Sequence, residues 1–174
     1  MLIDRFLKNG REFLRCKYPI MCGAMTWVSD PKMVSAIGNA DGFGLLAGGN
    51  SPVEVLREQI NETRKMSDKP FGVNIITLAP AYKSHLNLMC EMACETVIFA
   101  GGIPREKEID QVKQYGAKVI CFASTAPLAL RLIEMGRSSD ISVDAFMLGA
   151  ATRLSWGASR GHGRIRTRSW PIFA

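Results

Sequence analysis

"TVIFAGGIPREKEIDQVKQYGAKVICFA", residues 96–123, holds one complete period of the fold. Thr96 to Ala100 is a short β-branched and aromatic run without polar alternation, the pattern of a strand buried on both faces. Gly101-Gly102 closes it. Pro104 then precedes "REKEIDQVKQYG", a run of good helix formers in which Gly116 is a plausible stop. "AKVICFA" from residue 117 repeats the strand pattern. Strand, helix and strand in succession make an α/β unit with a parallel pair.

The same rhythm runs outward in both directions. Strand-like runs begin at 18 ("YPIMC"), 43 ("FGLLA"), 71 ("FGVNIIT"), 96, 117 and 143 ("VDAFML"), about 25 residues apart. Helix signals lie between them. Asp30 before Pro31 offers a side-chain cap and a preset φ for a first turn. Ser51-Pro52-Val53-Glu54 reads as a capping box opening "PVEVLREQINETRKM", and Thr125 to Met135 reads as a further helix. The N-terminal "MLIDRFLKNGREFLR" reads as an amphipathic helix with Leu2, Ile3, Phe6, Leu7, Phe13 and Leu14 on one face and a weak point at Asn9-Gly10. His85, in "AYKSHLNLM", is expected on the surface of a helix.

Two α/β architectures fit: an open doubly wound sheet, or a barrel of eight strands. At this spacing an eighth strand would begin beyond residue 174, so the chain supplies at most six strands. An open six-stranded sheet and an incomplete barrel both remain at this point. For a barrel, Ile20, Leu45, Val73, Ile75 and Val119 are the expected inward side chains.

Length, composition and charge narrow the function classes. A chain of 174 residues that is 47% hydrophobic suits one globular domain. No run approaches the ~18 apolar residues of a membrane span. The charged N-terminus lacks the apolar core of a signal peptide, so a cytoplasmic location is expected. Five cysteines, at 16, 22, 90, 94 and 121, form no CxxC pair, which points to reduced thiols and no structural metal. Residues 137–174 carry six arginines and two aspartates, a net +4 of the chain's +6. "SRGHGRIRTRSW" could mark a nucleic-acid patch, but a single Trp is no set of stacking aromatics. A solvated or disordered end is the reading preferred over a nucleic-acid partner.

The strand ends carry the functional signal. Gly23-Ala24-Met25, Gly48-Gly49-Asn50, Gly101-Gly102 and Ala123-Ser124 follow successive strands, on the side where α/β folds bind ligands. Turn glycines explain any one of them; four at matching positions favour a face for a small-molecule substrate or cofactor. "GFGLLAGG" is not the GxGxxG fingerprint of a dinucleotide site.

Four stretches in order then become specific: "YPIMCGAMTWVSDPKMVSAIGNADGFGLLAGGN", "KPFGVNIIT", "VIFAGGIP" and "GAKVICFASTAPLALRLIEMG", within residues 16 to about 136, resemble the nitronate monooxygenase (2-nitropropane dioxygenase) family and the related flavin-dependent enoyl-acyl-carrier-protein reductases. The resemblance implies a TIM barrel, here incomplete with about six parallel strands, binding FMN at the strand ends. It implies that Gly23, Ala24 and Met25 lie along the flavin ring, that Asn74 faces the flavin and that Gly101 belongs to the cofactor rim. The implied reaction oxidises alkyl nitronates with oxygen to a carbonyl compound and nitrite. The alternatives are the enoyl reductase branch or a non-catalytic remnant without flavin.

The end of the chain departs from the family pattern. Residues 1–148 are expected to form the partial barrel domain and 149–174 a divergent basic tail. Leu148-Gly149 lacks the family's acidic residue, and "RSSDIS" looks inserted before the last strand. "RGHGR" keeps Gly161, His162 and Gly163 out of their usual setting. His162 is nevertheless the candidate catalytic base, because a neutral imidazole with a reference pKa of about 6.5 suits removal of a carbon-bound proton. The pattern suggests a truncated, frame-shifted or fragmentary product, with weak FMN binding and self-association through open sheet edges.

Overall fold

The computed structural model describes residues 2–123, 125–138 and 145–147. Strands and helices alternate as the spacing predicts: α1 (Leu2–Leu14), β1 (Met21–Cys22), α2 (Pro31–Asn39), β2 (Phe43–Ala47), α3 (Val53–Met66), β3 (Gly72–Ile76), α4 (Tyr82–Glu91), β4 (Thr96–Ala100), α5 (Glu106–Gln114), β5 (Lys118–Phe122), α6 (Ala126–Ser138) and β6 (Ala145–Met147). The six strands form one sheet in the order β1-β2-β3-β4-β5-β6. Every neighbouring pair is parallel. A doubly wound sheet reverses its order at a switch point; this one does not. With right-handed crossovers, unbroken sequential order puts the intervening helices on one face. The sheet is thus an incomplete (β/α) barrel with a helix-covered outside and an inner face.

Side chains divide accordingly. Leu46, Val73, Ile75, Val97, Phe99, Val119 and Cys121 point outward into a layer shared with Leu56 and Ile60 of α3, Leu86 and Met89 of α4, and Ile109 and Val112 of α5. Phe43, Leu45, Ile98 and Ile120 form a second cluster on the inner face with Leu14 of α1. Leu45 is therefore inward as expected. Val73, Ile75 and Val119 are not: they lie under the helices, because the pleat turns odd and even positions to opposite faces.

Local signals explain most element boundaries. Asp30 Oδ1 accepts from the Met33 amide at 2.8 Å, and Pro31 opens α2. Gly116, at φ +82°, ends the turn after α5 in the left-handed region that glycine adopts without strain. The Ser51 capping box does not form: α3 begins after Pro52 with no side-chain cap bond. Asn9-Gly10 does not interrupt α1, which is continuous.

β1 corrects another expectation. Only Met21 and Cys22 pair with β2, and Ile20 is 69% exposed rather than buried. The cause is position: β1 is an edge strand, and among the described residues no strand pairs with its outer side. At the opposite end from the strand C-termini, α1 is tied to the sheet. Lys118 Nζ donates to the Phe13 carbonyl and lies 5.0 Å from the centre of the Phe13 ring, while Arg15 pairs with Glu95.

Candidate functional site

Register places the inner side chains in rows. Ala47 pairs with Asn74, Asn74 with Ile98, Ile98 with Ile120, and Ile120 with Ala145. Asn74 is the polar member of this row, near the C-terminal ends of the strands. Its backbone oxygen accepts from the Gly48 amide at 2.9 Å. Its side-chain Oδ1 is buried and has no hydrogen-bond partner. A buried acceptor left unsatisfied carries a desolvation penalty and calls for an explanation.

The segment after β1 is held as a compact turn. The Met25 carbonyl accepts from the Val28 and Ser29 amides at 3.0 and 2.9 Å. Buried Ser29 accepts from the Met25 amide at 2.9 Å and donates to the Gly23 carbonyl at 3.3 Å. This hydroxyl shapes the turn that presents Gly23, Ala24 and Met25, and sequence reasoning passed over it. A Cβ placed on Gly23 would meet nothing within 4 Å, so open space lies over that position. Ala24 packs against the edge of the inner apolar cluster, and Met25 is exposed. Trp27, next in the turn, has φ +68° and is 88% exposed.

The other rim glycines have a packing reason. A Cβ on Gly49 would fall 2.3 Å from Ile76 Cδ1, and one on Gly101 would fall 2.8 Å from Ile76 Cγ2. Gly101 also has φ +83°. These loops are slim because they close over the end of β3, whatever they also bind. Ser124 and His162 lie outside the described residues.

His85 is buried at 0% exposure, not on the surface. Its Nε2 lies 2.9 Å from the Ser51 carbonyl oxygen. A carbonyl only accepts, so Nε2 carries the proton and donates. Nearby, Tyr82 donates to Glu108 Oε2 at 2.8 Å, and the Arg105 amide donates to the same oxygen at 2.7 Å. Burial, helped by the Glu108 carboxylate, pushes the Tyr82 phenol upward. Three of the thiols are poor nucleophile candidates: burial raises Cys16 and Cys90 and pushes Cys94 up to about 11, leaving these three protonated near neutrality.

The strand-end face therefore offers open space over Gly23, an apolar inner row and an unsatisfied amide oxygen on Asn74. A flat, mostly apolar ring with a donor on its edge fits that set. No helix among the described residues is long and apolar enough to cross a membrane.

Known proteins share the sequence pattern and the fold. Residues 9–152 match the family model described as nitronate monooxygenase. A (3aS,4S,5R,7aS)-5-hydroxy-7a-methyl-1-oxo-octahydro-1H-indene-4-carboxyl-CoA dehydrogenase of Mycobacterium tuberculosis is 31% identical over 130 residues, covering 75% of this chain and 36% of that protein. A probable nitronate monooxygenase of Staphylococcus aureus is 22% identical over 154 residues, covering 68% of this chain and 43% of that protein. The solved structure of FabK from Thermotoga maritima matches with a TM-score of 0.73 at 31% identity, over 80% of this chain and 43% of that one. The chain thus spans well under half the length of these relatives.

Proposed function

Because this chain belongs to the nitronate monooxygenase family, we propose that its strand-end site holds FMN and serves an oxidoreductase that converts alkyl nitronates and oxygen into a carbonyl compound and nitrite. The observation that carries the reading is the buried, unsatisfied Oδ1 of Asn74. Gly23, Ala24 and Asn74 would hold the ring, and Met25 would flank it. FMN, when bound, supplies the redox chemistry. The chain's own residues bind and orient: Ala24 sets the clearance beneath the ring, Ser29 fixes the turn, and the Asn74 oxygen accepts from the ring edge. His162 is the proposed base. His85 does not suit that task, since its Nε2 is committed to Ser51 and its ring is buried.

A second reading, an enoyl thioester reductase using a nicotinamide, draws support from the 31%-identical relative whose name is that of a carboxyl-CoA dehydrogenase, a CoA thioester enzyme. The branches separate on substrate: oxygen uptake with a nitronate against nicotinamide oxidation with an enoyl thioester. A non-catalytic remnant would do neither.

Titrating FMN into the purified protein tests the shared premise through quenching of flavin fluorescence. Saturable quenching is expected, weakened roughly tenfold in Asn74→Ala, the scale of one buried hydrogen bond. Quenching that never saturates, or that ignores Asn74→Ala, would refute the flavin site.

The β1 edge, with Tyr18 and Ile20 exposed beside it, is proposed to promote self-association, since an open edge offers N–H and C=O groups to another strand. Size-exclusion chromatography with light scattering should show dimers or larger species. Ile20→Lys should shift them toward monomer. A wild-type monomer across the micromolar range would contradict this.

A further inference from the structure

We infer that His85 is a positioning residue, anchoring the rim loop that carries Gly48, Gly49 and Asn50. Fully buried in the layer between helices and sheet, it sits where an apolar side chain would ordinarily pack. Only one of its nitrogens is satisfied. Nε2 donates to the Ser51 carbonyl at 2.9 Å, while Nδ1 is buried with no partner. A half-satisfied buried imidazole is a poor choice for stability alone, because the orphaned nitrogen gives up its water without replacement. What the ring does accomplish is a link across the rim.

That link completes a chain of hydrogen bonds. The Gly48 amide donates to the Asn74 carbonyl at 2.9 Å, and the Ser51 amide donates to the Gly48 carbonyl at 3.4 Å. The loop is thereby fixed to β3 at one end and, through His85, to α4 at the other. The start of α3 has no side-chain cap to hold it. Elsewhere the two helices are joined by Arg57, whose guanidinium forks onto Glu91 at 2.6 and 2.8 Å. Glu91 is the last residue of α4, whereas His85 lies in its first half, nearer the rim. Loss of the His85 link would free the loop beside Asn74 without separating the helices. The consequence for ligand binding rests on the flavin reading; the tether itself does not.

The test combines hydrogen exchange of the ligand-free protein with FMN titration in four proteins: wild type, His85→Leu, His85→Phe and His85→Gln. In the two apolar variants, exchange in residues 48–53 should rise about five- to tenfold, the scale of one lost hydrogen bond. Their thermal unfolding should be unchanged or raised, since the orphaned nitrogen is gone. FMN affinity should fall by a similar factor. Glutamine, whose Nε2 can donate from nearly the same distance, should restore both. Unchanged loop exchange in a folded apolar variant would overturn the inference. So would failure of both apolar variants to fold, which would make His85 a core residue only. Raised exchange with unaltered FMN affinity would overturn its positioning role. Raised exchange, with no saturable FMN binding even in wild type, would support the tether and refute the flavin reading instead.

Discussion

Replacing Phe99 by alanine should lower stability by about 3–5 kcal/mol, the usual cost of removing a large aromatic from a packed core. Phe99 is fully buried on the helix side of β4, pairing with Ile75 of β3 and Cys121 of β5. Its ring meets Tyr82 edge-to-face at a centroid distance of 6.5 Å, a contact worth about 0.5–1.5 kcal/mol beyond burial. Tyr82 in turn holds Glu108 at the start of α5. A domain of this size has about 5–15 kcal/mol in total, so a large share would be lost at one position. Urea unfolding followed by circular dichroism would measure it. A loss below about 1.5 kcal/mol would mean that the layer collapses around the deletion and is less tightly packed than its burial suggests.

Substituting Ala24 by tryptophan should reduce FMN affinity roughly a hundredfold, with the fold kept. Overpacking a fitted site costs about 1–3 kcal/mol, and the upper end corresponds to about two decades in affinity. Ala24 lies at the margin of the inner cluster, beside the open space over Gly23. An indole there would occupy the volume assigned to the flavin ring. The turn itself should survive, because it is held by Ser29 and by backbone bonds of Met25. Circular dichroism would verify folding and fluorescence quenching would give the affinity. An Ala24→Trp variant that binds FMN as wild type does would reduce Gly23-Ala24-Met25 to an ordinary turn.

Features written in neighbouring residues were legible without a structure. Apolar runs recurring about every 25 residues located all six strands, and Asp30-Pro31 and Gly116 act at the ends where they were read. Features that depend on distant residues were not. His85 looked like a surface histidine because its partner, Ser51, is 34 positions away. The capping box at Ser51 is absent because the helix begins one residue later than the motif implies, at Val53, with Pro52 at the cap and no side-chain cap bond. Val73, Ile75 and Val119 lie on the helix side, which continuous apolar strands conceal because they do not show which parity points inward. Glycine at the rim has a packing reason that depends on distant residues too. Gly49 and Gly101 are required by Ile76 beneath them, which motif reading cannot see.

The two apolar layers share no side chain. Evolution could therefore treat them as separate ledgers of constraint. On the flavin reading, changes at Ala24, Ala47 or Asn74 would alter what the inner face binds while leaving the helix-packed layer untouched. Variants with new ligand preferences would then arise in few steps, each passing through a folded intermediate. A library randomised at those three positions should retain folded members far more often than one randomised at Val73, Ile75 and Phe99.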